Sequence, residues 1–376
     1  METHVFLKNS ILSSLGDGFV KLILGAPGAG KSFFLSHDLF LALSEEAGNK
    51  IVSISPSTFE GASALLKQKE GCTRLVVLAD DVFSFPHPES LFEAFAGKGD
   101  VDLIASSSFS PDYALGEDET LIRGRFKRFY FSPLSYEESL GLGRAKDLDE
   151  YIAKGGLFLS KEACLEKALK EGASFRRFRK DSFSKALFLL DLLGAHLDEG
   201  ISYSRLSELS GGKLNHITLQ SYLDFLEGCF LLFSLDRENP SNGRVKKRES
   251  IYYLGDVALQ KNHGGPGSKA KSLILMKLFE QSFSSRSLCV YARRDGGWGT
   301  IELGYALERG REKIYLSYSL GSGAEESKAM ARFLRDSFPK VVVVPFATSP
   351  WRDEAGIVHV GLSKFLLSGI GEIIGG

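Results

Sequence analysis

The sequence predicts a three-layer α/β domain on a parallel sheet, followed by smaller modules. Three observations carry that reading. Short apolar runs near residues 19–24, 50–55, 74–79, 101–106 and 127–131 alternate with helical stretches. The turn after the first run reads GAPGAGKS, residues 25–32. The third run closes on two adjacent acids, Asp80 and Asp81. Such alternation builds a parallel sheet with helices on both faces, and ligands collect at the carboxyl ends of its strands.

The first run, FVKLIL, reads as a buried strand. Gly25, Gly30, Lys31 and Ser32 then fill the spacing G-x-x-x-x-G-K-[ST]. Glycines let the backbone curl until several N–H groups point at one spot, and the following helix adds its positive end. The phosphate-binding set is Gly25, Ala26, Pro27, Gly28, Ala29, Gly30, Lys31, Ser32 and Phe33. Lys31 is placed to reach the β- and γ-phosphates of ATP, and the Ser32 hydroxyl to bind Mg²⁺. The next segment, SFFLSHDLFLALSEEAG, is helical, with apolar residues at Phe34, Leu35, Leu39, Leu41 and Leu43.

RLVVLADDVF, Arg74–Phe83, is a strand that delivers carboxylates at its tip, the Walker B arrangement. Asp80 is expected to hold Mg²⁺ through water, and Asp81 to orient or deprotonate the attacking water. VDLIASSSF, Val101–Phe109, is a further buried strand ending in hydroxyls. LIRGRFKRFYFSPLSYEES then supplies a basic turn, a strand and a proline-marked exit.

Taken with YIAKGGLF, Tyr151–Phe158, these segments resemble the bacterial and archaeal AAA-type ATPases whose C-terminal half is a domain of unknown function. The resemblance covers most of the chain, and GR…SPLSYEE with the Gly-Gly element is what points to that family. It implies that Ser107 senses the γ-phosphate and that Arg125 stabilises charge there. One departure stands out: the family has Asp-Glu at the strand tip where this chain has Asp80-Asp81. Aspartate is one methylene shorter, and misplacement by about 1 Å can cost ~10²-fold in rate. Binding is therefore the firmer expectation than hydrolysis.

Residues 133–195 carry helical patterns, including LDEYIAK and FSKALFLLDLLGAHL, and are expected to form a helical lid on the core at 1–132. Within them, SFRRFRKDSFSK interleaves Arg176, Arg177, Arg179 and Lys180 with Phe175 and Phe178. That composition suits nucleic acid, and also suits a solvated helix face, the plainer reading. Residues 196–250 predict a winged-helix unit: a helix at 204–210, a Gly-Gly turn, then a helix at 215–227. Leu219, Leu223 and Leu226 give the second helix an apolar face, and Asn215, His216, Thr218, Gln220 and Ser221 a polar one. Arg244, Lys246, Lys247 and Arg248 form a basic wing that DNA phosphates would need.

Residues 251–376 resemble the family's restriction-endonuclease-like domain. YYLGDVAL, KSLILMKL, the segment Tyr291–Ser319, VVVVPF and GIVHVGLSKFLL match its elements in order. The metal-binding positions do not match: Lys271, Gly304, Tyr315 and Ser317 stand where the resemblance calls for carboxylates and a lysine, with Glu302 close by. A nuclease-like fold without nuclease activity is expected.

A net charge of −1 leaves any DNA contact to a local patch. Cys72, Cys164, Cys229 and Cys289 are scattered, with neither metal-ligand spacing nor a disulfide framework. METHVFLKNS is not a signal peptide and no apolar run is long enough to span a membrane, so the cytoplasm is expected. The sequence reading is thus an ATP- and Mg²⁺-binding ATPase whose C-terminal modules couple nucleotide state to DNA or a protein partner. Beside it stand a nucleotide-gated binding protein with little turnover and an ATP-dependent nuclease.

Overall fold

The computed structural model describes residues 3–116, 125–173, 182–197, 200–239, 244–260, 264–282, 288–295, 299–309, 312–346 and 349–375. They form two compact units. The first comprises Met1–Leu134, Leu157–Leu187 and Asp224–Leu231. It is built on five parallel strands: β1 (Val20–Leu24), β2 (Asn49–Ile54), β3 (Arg74–Ala79), β4 (Val101–Ser107) and β5 (Phe126–Tyr130). Their order is β2-β3-β4-β1-β5, so the predicted parallel sheet is present and β4 lies between the Lys-bearing and acid-bearing strands. The inner strands β1, β3 and β4 are predominantly apolar because both sheet faces are covered.

Two polar residues break those runs, and they answer each other. Lys21 of β1 and Asp102 of β4 are 0% and 1% exposed, with Nζ 2.5 Å from Oδ1. Lys21 also donates to Asp17 at 2.7 Å. Asp102 accepts from Arg74 at 2.7 Å and from the Gly16 N–H at 3.0 and 3.1 Å. This cluster closes the amino ends of the central strands, the end away from Gly25–Ser32.

The helix after the cradle runs through Lys31–Phe33, Phe34–Leu39 and Phe40–Ser44, widening to i→i+5 bonding in its middle part. Phe34, Leu35, Leu39 and Leu43 are buried, whereas Leu41 is exposed. Two residues beyond Leu39 is about 200° around a helix, so Leu41 leaves the apolar stripe.

The second unit comprises Ser135–Gly156, Phe188–Leu223 and Leu232–Gly376. Its strands are β6 (Gly200–Ile201), β7 (Leu232–Asn239), β8 (Arg244–Leu254), β9 (Leu288–Asp295), β10 (Gly299–Arg309), β11 (Glu312–Tyr318), β12 (Lys340–Val344), β13 (Trp351–Arg352) and β14 (Val358–Gly361). They pair in the order β13-β14-β12-β11-β10-β9-β7-β8-β6. β7 and β8 form an antiparallel hairpin, and β7 pairs in parallel with β9. Strands from residues 196–250 and from 251–376 therefore share one sheet. The core gathers Leu273, Ile274 and Leu278 of the helix Pro266–Ser282 with Tyr253, Leu316, Val341, Val343 and Phe365.

Helices Tyr203–Leu209 and His216–Gly228 flank Gly211 and Gly212, both at positive φ. Leu219, Leu223 and Leu226 are buried, while Asn215, His216, Gln220 and Ser221 are exposed. Arg244, Lys246, Lys247 and Arg248 lie on the β8 backbone; their side chains, and residues 174–181 with the Arg-Phe segment, fall outside the described residues.

The Gly155-Gly156 element is fixed by Asp256. Gly156 N–H donates to Asp256 Oδ2 at 2.8 Å, and Ala258 N–H to Oδ1 at 2.6 Å. Gly155 has φ +68, and a Cβ there would lie 1.9 Å from Asp256 Oδ1 and 2.8 Å from the Ala258 nitrogen. Gly155→Ala should therefore cost at least ~2 kcal/mol, from left-handed strain plus the clash. Urea unfolding checks this, and a wild-type midpoint would show that the turn relaxes freely.

Candidate functional site

The cradle begins where β1 ends. A Cβ on Gly25 would sit 2.1 Å from the Phe131 carbonyl oxygen, so only glycine lets the first turn pass β5. Gly28 and Gly30 have φ of +80 and +111, conformations that L side chains rarely take. Lys31 then opens the helix and turns back into the loop. Its Nζ donates to Gly25 O at 2.8 Å, Ala26 O at 3.0 Å and Ser108 Oγ at 3.2 Å. Burial lowers its pKa to about 8, although Glu171, Asp81 and Asp80 favour the charged form.

Asp80 leaves the tip of β3. Its Oδ1 accepts from Ser32 Oγ at 3.2 Å and from Ser106 Oγ. The cradle serine and the strand-tip acid thus meet, although 48 residues separate them in sequence. A hydroxyl and a carboxylate converging in this way are hard oxygen donors. They suit Mg²⁺, which takes one or two protein ligands and completes its shell with phosphate and water. Among the described residues no group of three or more His, Cys, Asp or Glu is arranged to hold a metal by itself.

Asp81 has φ +52 and donates its N–H to Ser106 Oγ at 3.2 Å. Burial raises its pKa to about 7, reinforced by the negative charges of Glu171 and Asp80 and opposed by Lys31 and Lys167. A carboxyl in that range can both take and give a proton near neutral pH.

The serine-rich end of β4 divides its work by parity. Ser106 meets Asp80, and Ser108 meets Lys31. Ser107, the residue singled out by the family resemblance, accepts the Phe109 N–H at 2.9 Å and is 2% exposed. Alternate residues of a strand face opposite ways, so a choice one residue off lands on the wrong side.

Arg125 is not brought to the cradle. It precedes β5 and its carbonyl accepts the Val20 N–H at 2.9 Å, at the amino end of the sheet. Five residues of strand, about 16 Å, separate that end from Gly25.

The segment over the loop lies within residues 133–195, expected as a helical lid, but none of its contacts to the cradle was named from sequence. The Phe158 N–H donates to Gly28 O at 2.9 Å. The Phe158 ring lies 3.3 Å from where a Gly30 Cβ would stand, and Leu159 lies 2.9 Å from the same point on Gly28. The helix Lys161–Gly172 follows, capped by Ser160, and its buried Cys164 donates its S–H to Pro27 O at 3.1 Å. The only available signal was the Gly-Gly element just upstream.

In the second unit, Tyr315 is 4% exposed and donates its hydroxyl to Asp336 at 2.5 Å. Ser317 is 6% exposed, and Lys271 is half-buried on its helix. Glu302 and Gly304 flank an irregularity in the β9–β10 register, and their side-chain positions lie outside the described residues. Ser327, Asp353 and His359 also meet, but both Ser327 Oγ and His359 Nε2 (3.1 Å) bond to Asp353 Oδ2. A nucleophilic triad needs the histidine in the middle, bonded to the serine. With the acid in the middle, the group instead pins the β13–β14 turn through the Ala355 and Ile357 N–H groups, each at 2.9 Å.

No family model matches the chain. A protein of Haemophilus influenzae described as uncharacterized is 20% identical over 368 residues, covering 86% of this chain and 88% of its own length. Among solved structures, the Drosophila ORC bound to AT-rich DNA and Cdc6 contains a similar chain: 12% identity, TM-score 0.24, 68% of this chain and 89% of that one. Cdc6p from Pyrobaculum aerophilum is similar at 12% identity and TM-score 0.26, over 71% of this chain and 92% of its own. At those TM-scores neither likeness bears on function, and what the chain offers is its own cradle, acids and hydroxyls.

Proposed function

We propose that this chain is an AAA-type ATPase that binds ATP with Mg²⁺ in the Gly25–Ser32 cradle. The observation that carries this reading is the meeting of Ser32 with Asp80 beside a buried Lys31, at the carboxyl ends of β1, β3 and β4. Lys31 would exchange its loop carbonyls for the β- and γ-phosphates. The N–H groups of the loop would hold the phosphate chain, and Ser106 would steady Asp80. Ser32 and Asp80 would hold Mg²⁺, which spreads the phosphate charge when bound.

The helix-turn-helix and its following hairpin, in a winged-helix role, would present the bound state to DNA or a protein partner. The remainder of the second unit would serve as an inactive nuclease-like module. Calorimetric titration with Mg-ATP and a phosphate-release assay, with and without DNA at stated salt, test the reading. Binding in the micromolar range with measurable release is expected; no binding at millimolar ATP would end it. A second reading, a nucleotide-gated binder with little turnover, is favoured by the short Asp81 side chain. Binding without phosphate release would select it. Mg²⁺-dependent nicking of plasmid DNA would instead select an active nuclease.

A further inference from the structure

A single residue, Leu157, separates two anchored amides. Before it, the Gly156 N–H donates to Asp256 Oδ2 at 2.8 Å, a contact within the second unit. After it, the Phe158 N–H donates to Gly28 O at 2.9 Å, a contact within the first. Two residues span at most about 7 Å even when fully extended, so neither anchor can shift far without pulling on the other. Both anchors are firmly built. Gly155 closes the helix Leu148–Lys154, with its N–H on Tyr151 O at 2.7 Å, and Asp256 is 4% exposed. Asp256 Oδ1 also accepts from Ala258 in the short helix Val257–Gln260, and Gln260 donates to Ser272 Oγ at 2.7 Å on the helix Pro266–Ser282. At the cradle end, Leu159 stands over Gly28 and Cys164 donates to Pro27 O at 3.1 Å. The peptide that Phe158 grips has a second end, because Gly28 C=O and Ala29 N–H share one rigid plane. The Ala29 N–H reaches back to Ala26 O at 3.2 Å. It is one of the loop donors that a phosphate chain would recruit. A bond accepted at the carbonyl end of such a plane polarises it and strengthens the donor at the other end.

We propose that the segment Gly155–Phe158 is a strap that couples the cradle to the second unit, with Asp256 as the positioning residue that keeps the Phe158 N–H on Gly28 O. The proposal rests on the nucleotide-binding reading above and gives its coupling a route. A phosphate on the Ala29 N–H turns and polarises the Gly28 peptide. The bond from Phe158 tightens, and the strap carries the shift to Gly156 and the Asp256 carboxylate. The coupling is reciprocal: a state of the second unit that favours the Gly156–Asp256 bond favours nucleotide by the same factor. Asp256 acts through the backbone of the strap and takes no part in the chemistry.

Amide hydrogen exchange on the full-length protein, with and without Mg-ATP, tests the coupling at Phe158, Gly156 and Ala258. Coupled sites usually differ by at least ~5-fold, so Mg-ATP should slow exchange at all three amides by about that much. Asp256→Ala should raise the Mg-ATP Kd, measured by calorimetry, by ~5-fold or more. In that variant the ATP-dependent protection of Ala258 should disappear. A merely structural Asp256 would lower the melting midpoint and leave Kd where it was. A Kd within about twofold of wild type in folded Asp256→Ala therefore overturns the inference. If Asp256→Ala does not fold, exchange in the wild type decides. Slowing at all three amides supports the strap, and slowing at Phe158 without any at Gly156 and Ala258 removes it. A wild type that binds Mg-ATP with no change at Gly156 and Ala258 overturns this inference alone. A wild type that binds no ATP removes the reading beneath it, and the strap with it.

Discussion

Lys31→Ala should lower Mg-ATP affinity by ~10²-fold or more while leaving the protein folded. Hydrogen bonds from a charged donor contribute about 1.5–3 kcal/mol each, and Lys31 is the cation best placed to make them. The effect on stability is expected to be small because two changes oppose each other. The Gly25 and Ala26 carbonyls lose a donor, but the fold no longer holds an ammonium in a site that pushes its pKa down to about 8. Calorimetry and a thermal melt separate the two quantities. Wild-type affinity in the variant would remove the basis for a nucleotide site here, and a collapsed melt would show that Lys31 supports the loop rather than its ligand.

The largest stability effect is expected at the other end of the same strands. Asp102→Ala should cost ~3–5 kcal/mol, the usual result of breaking a buried ion pair by removing one partner. Lys21, fully buried, would keep Asp17 alone, Arg74 would lose its carboxylate, and the Gly16 N–H its acceptor. Replacing Lys21 and Asp102 together by methionine and leucine should recover most of the loss, since no uncompensated charge remains inside. Urea titration measures both variants. A loss below ~1 kcal/mol for Asp102→Ala would mean that water reaches the cluster.

The first unit was legible because each inner strand is a largely apolar run. The cradle was legible because its spacing is set by phosphate geometry. Side-chain parity was not. Three serines in a row carry no mark of which two face Asp80 and Lys31, and only the register of β4 against its neighbours decides it. Arg125 looked suitable by its neighbours in sequence, yet strand direction puts it at the far end of β5. Phe158 is remote from Gly28 in sequence, and nothing local links them. The helical pattern beyond Phe158 is visible in sequence, but the contact from Cys164 to Pro27 that aims that helix is not. The pairing of β7 with β9 is equally non-local, and its pattern alone names no partner strand.

The hold of Lys31 on the carbonyls of Gly25 and Ala26 has a consequence for apparent affinity. If the loop binds nucleotide as proposed, those bonds would have to open before the ammonium met a phosphate, and the loop would carry a competitor for its own ligand. Apparent affinity is then the intrinsic affinity scaled by the fraction of loops already open. Under the proposed function, two backbone oxygens would thereby help set the nucleotide concentration at which the site fills. Any substitution that shifts the loop carbonyls would move that threshold without touching a group that contacts the nucleotide.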